Sequence, residues 1–373
     1  MKRVSQLTAL ALLCGLASFS SLAADMPNAI TLSQLQAQHG TPVDTRASAF
    51  YNGWPQTLSG PSGHEPAALN LAAAWLSAMS DEQIALWAKQ HQLTPATTIA
   101  LYGDENDNQA VKARLEKAGY RHVSLLSDAL QTPERLQRLP HFEQLVYPQW
   151  IHRLQQGKPV AAAPAGDWKV IEAAWGAPKF YLLNHIPGAG YIDTNEVESE
   201  PLWNKVSDDK LKAMLAKHGI RHDTTVILYG RDVYAAARVA QIMLYAGVKD
   251  VRILDGGWKA WSDAGLPVER GTPGKVKPAP DFGAPIPGQP QLMVDMEQAR
   301  VSSLQKTDKQ CDQPEQTRHA PPPARGIQDC TKVFSLHGGN RFYARRKGWD
   351  GFYPGGRLFH LFLLMTGLFE RAR

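Results

Sequence analysis

Residues 223–261 carry two apolar patterns in succession. Residues 224–229 are an unbroken β-branched and apolar run, the pattern of a strand buried on both faces. Gly230, Arg231 and Asp232 interrupt it. A helical spacing then runs to Gly247, with Ala237, Ile242, Leu244 and Tyr245 among its apolar positions. Residues 251–254 read as a second buried strand, and Asp255-Gly256-Gly257 as a turn. Strand, loop, helix and strand make a βαβ unit, which predicts an α/β fold with a parallel sheet flanked by helices. Such sheets bind ligands at the carboxyl ends of their strands, where a helix N-terminus offers free N–H groups to an anion.

The same pattern occurs earlier. Residues 80–103 align without a gap on residues 207–230, and eight of the 24 positions are identical: Ser80/Ser207, Asp81/Asp208, His91/His218, Thr97/Thr224, Thr98/Thr225, Leu101/Leu228, Tyr102/Tyr229 and Gly103/Gly230. Each copy opens on a serine suited to cap a helix, Ser80-x-x-Gln83 being a capping box, and ends in a strand that starts Thr-Thr. A separation of 127 residues between Gly103 and Gly230 is the length of a domain, so the repeat is a tandem duplication and not a solenoid.

Several motifs resemble those of the rhodanese (sulfurtransferase) family: Leu254-Asp255-Gly256-Gly257-Trp258 with Trp261 and Gly265, and Asn184-His185-Ile186-Pro187-Gly188-Ala189. Val43-Asp44-Thr45-Arg46 and the worn Gly63-His64-Glu65-Pro66-Ala67-Ala68 are similar to the corresponding parts of an earlier copy. The resemblance implies tandem rhodanese-like domains and a reaction in which a cysteine takes sulfane sulfur from thiosulfate and passes it to cyanide or a thiol. In active members a loop of backbone N–H groups lowers the pKa of that cysteine. Small anionic sulfur compounds are therefore the implied ligands, and no cofactor or metal is called for. The cysteine would follow the strand, where this chain has Gly103 and Gly230. Both copies are expected to be inactive. Gly230, Arg231, Asp232, His185, Asp255, Gly256 and Gly257 are then the remnant of a loop and its surrounding motifs.

The bland readings of other residues are structural. His91 and His218 sit where a helix ends, a favourable place for a cation. Asp44 and Arg46 read as an ion pair or turn anchor. His185 orients its loop through hydrogen bonds, since no companion His or Cys ligand for a metal stands near it.

Organisation follows from composition shifts. Residues 1–23 read as a secretory signal peptide: Lys2 and Arg3, an apolar run too short to span a bilayer, then Ser21-Leu22-Ala23. This predicts a periplasmic protein without stable membrane insertion of the mature chain. The expected order is a first domain at 24–150, a connection at 151–166, a second domain at 167–271, and a Pro-rich linker at 272–290, since six prolines lie in 271–290. Residues 291–300 resemble the opening of a third copy.

From residue 301 the patterning stops. Residues 301–373 hold 12 Lys or Arg against six Asp or Glu, so the chain's net charge of +5 resides in this stretch. A basic tail raises the possibility of a nucleic-acid or membrane surface, but a secretory signal argues against nucleic acid. Cys311 and Cys330 follow no apolar strand and open no C-x-x-G-x-R-like loop. The resemblance implies the three-domain periplasmic sulfurtransferases, whose third domain carries the cysteine. The expectation is that 301–373 is a disordered or poorly packed product of a shifted reading frame, and that the catalytic domain is lost. A non-catalytic binding module and a truncated product without function are the alternatives.

Overall fold

The computed structural model describes residues 29–293 apart from 201–202, 273 and 275; the expected signal peptide, most of the third opening segment and the tail, with Cys311 and Cys330, lie outside the described residues. Two five-stranded parallel sheets of one topology make up the fold. The first contains β1 (Ala29–Ile30), β2 (Thr41–Asp44), β3 (Leu69–Asn70), β4 (Ile99–Tyr102) and β5 (Val123–Leu126), in the order β1-β5-β4-β2-β3. The second contains β6 (Leu145–Val146), β7 (Trp168–Ala174), β8 (Gly190–Asp193), β11 (Thr225–Tyr229) and β12 (Asp250–Leu254), in the order β6-β12-β11-β7-β8. A small antiparallel ribbon, β9 (Glu198–Ser199) and β10 (Asn204–Lys205), lies between β8 and β11 in the chain. Strand for strand the two orders coincide, as a duplication requires.

The helices form where the local chemistry favours them. α1 (Leu32–Ala37) and α3 (Asp81–Gln90) each begin with a capping box, Thr31 with Gln34 and Ser80 with Gln83. α2 (Ser48–Asn52) and α4 (Glu105–Lys117) complete the first copy. In the second, α5 (Pro148–Gln155) has proline in its first turn, and α6 (Lys179–Leu183) precedes the His185 loop. Ser207 caps α7 (Asp208–Lys217). α8 (Val233–Ala246) ends on left-handed Gly247, and α9 (Gly257–Asp263) closes the unit. β11 is buried at every position and α8 at most, so helix and strand form the centre of the second core.

Two segments depart from the sequence reading. Residues 142–155 were expected to close the first domain and start a connection. Instead β6 pairs with β12, and α5 buries Trp150 and Ile151 among Val170, Ile227 and Trp261. A two-residue strand is too short to display any period, which hides it in the sequence. The Pro-rich stretch is not a free spacer. Phe282 is fully buried, His222 N–H donates to its carbonyl at 2.9 Å, and Gln289 N–H donates to Tyr245 O at 3.0 Å. Burying a phenylalanine stabilises by about 2 kcal/mol, and the Arg221–Asp281 ion pair and the packing of Ile286 and Leu292 on the core add to the attachment.

The two copies share a core. Trp54 of the first is buried against Phe142 and Trp150, and its indole N–H donates to Leu145 O at 2.7 Å.

Candidate functional site

Both remnant loops lie at the carboxyl ends of the central strands. In the first copy only Gly103 separates β4 from Asp104, the N-cap of α4. Gly103 has φ +145°, and a Cβ there would lie 2.3 Å from Thr45 Oγ1. In the second copy Gly230 and Arg231 separate β11 from Asp232, the N-cap of α8. A Cβ on Gly230 would lie 2.3 Å from Asp232 O and 3.0 Å from Ala173 O. A sulfur at this position would thus face carbonyl oxygens, not a cradle of N–H donors. In both loops a side chain would force its neighbours to shift, the Thr45 side chain in the first and the loop backbone in the second.

Charge also disfavours an anion at these loops. Each helix N-terminus carries its own aspartate. Asp232 Oδ1 accepts from Tyr234 N–H at 2.9 Å, so the N-terminus of α8 is capped from within the chain. The first loop opens on a cleft of about 380 Å³ lined by Thr45, Arg46, Phe50, Gln56, Asp104 and Asp107 among others. Burial and the charge of Asp104 raise the Asp107 pKa. Arg46 is held mainly by the chain: it is buried, its Nη2 lies 2.6 Å from Asp44 Oδ2 and donates to Gly63 O at 2.7 Å, while its Nη1 has no hydrogen-bond partner.

Arg231 is also engaged by its neighbours. Its Nε is 3.1 Å from Glu172 Oε1, its Nη2 donates to Asn184 Oδ1 at 3.0 Å, and its guanidinium stacks 4.4 Å from the Trp258 ring centroid. Glu172 is buried; desolvation raises its pKa, and Arg231 opposes that rise. The sequence reading missed Glu172, although an acid inside the apolar run of β7 is an anomaly that marks it.

The remaining motif residues gather around the second loop. Gly230 O accepts from Trp258 N–H at 3.0 Å. Gly257 has φ +56°, and a Cβ there would lie 2.4 Å from Gly230 O, so only glycine permits the loop and the turn to touch. Gly256 adopts the left-handed conformation as the N-cap of α9. The Asp255 carboxyl has one oxygen buried without a partner, and burial pushes its pKa up to about 7 against a single backbone hydrogen bond from Gly256. His185 is buried, stacked on Tyr181 at 3.8 Å with its Nδ1 2.8 Å from Tyr181 O. Glu269, also missed, holds this loop: it exchanges two backbone hydrogen bonds with His185 at 2.9 Å, and its Oε2 accepts from Gly188 N–H at 2.6 Å. The worn first motif keeps the same geometry, with His64 stacked on Tyr51 at 3.9 Å. His91 and His218 are C-caps; His218 Nε2 is 3.1 Å from Glu196 Oε2. Among the described residues no group of His, Cys, Asp and Glu could hold a metal ion.

A family model described as a rhodanese-like domain matches residues 160–264. The thiosulfate sulfurtransferase YnjE of Escherichia coli strain K12 is 75% identical over 300 residues, which are 80% of this chain and 69% of that protein. The chain belongs to the rhodanese family. Its fold superposes on the crystal structure of YnjE with a TM-score of 0.73 at 76% identity, over 76% of this chain and 68% of the other. EanB, in its wild-type structure, matches with a TM-score of 0.68 at 31% identity over 74% of this chain and 69% of its own. Bovine thiosulfate sulfurtransferase is 30% identical over 123 residues, 30% of this chain and 41% of that protein. No helix among the described residues is long and apolar enough to cross a membrane.

Proposed function

We propose that the two described domains are the non-catalytic part of a periplasmic thiosulfate sulfurtransferase, exported by residues 1–23. The family reaction needs a thiolate that attacks the outer sulfur of thiosulfate. The S–S bond breaks, sulfite leaves, and a cysteine persulfide remains for transfer to cyanide or a thiol. The observation that carries the reading is the state of the two loops. Each has glycine at the cysteine position, no room for a Cβ without a shift of its neighbours, and an aspartate at the N-cap position of the helix that should face the anion, the one in the second copy bonded to the helix backbone. A persulfide there would have no atom to form on.

The catalytic domain belongs after the third opening segment at 291–300, and residues 301–373 stand in its place as the product of a shifted reading frame. The loss of family motifs and the change of charge at residue 301 support this. The purified chain should form no thiocyanate from thiosulfate and cyanide above a protein-free blank. Turnover that disappears on Cys311→Ser or Cys330→Ser would overturn the reading. Sequencing the gene tests the frame: both alternative frames downstream of the Arg300 codon being rich in stops would sink that part.

A further inference from the structure

The cleft beside the first loop holds charged groups of both signs that the chain leaves without partners. Asp104 and Asp107 line it, and neither carboxylate makes a hydrogen bond or an ion pair among the described residues. The second copy is different: there the corresponding Asp232 accepts from Tyr234 N–H at 2.9 Å. Burial and then the charge of Asp104 raise the Asp107 pKa. A cation placed beside the two carboxylates would relieve a repulsion that the cleft itself does not relieve.

Arg46 forms the floor of the same cleft. Its side chain is 1% exposed, its Nε and Nη2 are spent on Asp44 and Gly63 O, and its Nη1 has no hydrogen-bond partner. A buried donor without an acceptor is costly, and an anionic oxygen is the strongest acceptor a guanidinium can take. Donor and carboxylates are held on one frame. Thr45 Oγ1 donates to Asn108 Oδ1 at 2.8 Å, and Asn108 Nδ2 donates to Gly103 O at 3.2 Å. These bonds tie the first turn of α4, with Asp104 and Asp107, to the end of β2, which Arg46 follows. The other walls are largely apolar: the Phe50 ring, fixed edge-on against Tyr147 at 5.8 Å, and four alanines that include Ala110. A volume of about 380 Å³ is in the range of small-molecule sites, and an aromatic face suits an organic cation.

The charges select the ligand. Two unpaired carboxylates repel a simple anion. Among the described residues no group of His, Cys, Asp and Glu could hold a metal ion. An amine alone would leave Arg46 Nη1 unanswered. We propose that this cleft binds a small zwitterion, a free amino acid whose ammonium group meets Asp104 and Asp107 and whose carboxylate accepts from Arg46 Nη1. The site belongs to the first copy alone and is independent of the sulfur chemistry proposed above.

Isothermal titration calorimetry of the purified chain tests the proposal. Glycine, β-alanine and 4-aminobutyrate are the probes, since they space the two charges differently, and butylamine and butyrate carry one charge each. At least one of the three amino acids should bind about tenfold more tightly than either single-charge probe. Asp104→Asn combined with Asp107→Asn should weaken that binding about tenfold or more. Ala110→Trp, which fills the cleft from an exposed position on α4 and keeps every charge, should abolish it. Asp232→Asn, the same change in the second copy, should leave it as it was. The carboxylate and the cleft-filling variants act independently, so either one that folds decides the site. No heat from any of the three amino acids overturns the proposal. So does butylamine binding as tightly as they do, or binding that survives in whichever of those variants folds.

Discussion

Arg231 and Glu172 form an ion pair, Nε to Oε1 3.1 Å, in which the carboxylate is buried and the guanidinium is covered by Trp258. The residue that stands beside the reactive position in this fold is therefore committed to holding the sheet edge together. Arg231→Ala should leave Glu172 buried and unpaired, at a cost of about 2 kcal/mol. The loss should be larger at pH 8 than at pH 5, because burial already raises the Glu172 pKa and an unpaired carboxyl takes up a proton as the pH falls. Urea unfolding at the two pH values checks this.

Gly230→Cys should not create a sulfurtransferase. The added Cβ meets Asp232 O at 2.3 Å, so the loop must shift before the sulfur fits. Once shifted it still ends in the Asp232 cap. We expect no thiocyanate above the blank and a destabilisation of about 1–3 kcal/mol. Both are read on one preparation, by assay and by thermal melting; measurable turnover from this single change would refute the steric argument.

Asp255 should make the second copy less stable as the pH rises. Its carboxyl has a folded pKa of about 7 against an ordinary value of 3.8. Between those values the unfolded chain gives up the proton and the folded chain keeps it, so stability falls as pH rises from about 4 to 7 and stays reduced above. Asp255→Asn should gain about 1–3 kcal/mol at pH 8 and nothing at pH 4. Melting curves at the two pH values that shift equally would contradict it.

Glu196 works in the opposite sense. Burial alone would raise its pKa, but hydrogen bonds from His218 and Lys217 hold it down to about 2. Its stabilisation is present above the unfolded value of 4.5 and lost as pH falls toward 2. Glu196→Gln should cost about 1–2 kcal/mol at pH 7 and nothing at pH 2, again by melting. The prediction also tests His218 as a capping residue of α7.

Much of this architecture was legible in the sequence because its central elements are long and their periods unmixed. β11, α8 and β12 declare themselves through uninterrupted apolar runs and a helical stripe, and the repeat of residues 80–103 at 207–230 announces the second sheet. β6 was not legible: two residues, Leu145 and Val146, carry no period, and only their pairing with β12 assigns them to the second copy. The segment at 276–293 differs from the spacer that six prolines suggest, because Phe282 is buried, Asp281 pairs with Arg221, and Gly288 and Gln289 bond to Tyr245, long-range contacts that composition does not report. At the site, glycine in place of cysteine could be read directly. That Arg231 is spent on Glu172, and that Glu269 fastens the His185 loop from 84 residues away, depends on long-range contacts which no local pattern reports.

The aspartate caps have a kinetic meaning. A helix terminus left open at Gly103 or Gly230 would gather thiosulfate and sulfite, and at two such termini per chain it would draw down the substrate and retain the product. Asp232 closes the α8 terminus by a backbone hydrogen bond, and Asp104 places a negative charge beside the α4 terminus without bonding to it. On the proposed reading the two copies would be bystanders to the sulfur anions, and a catalytic centre attached to them would meet those anions at their bulk concentration.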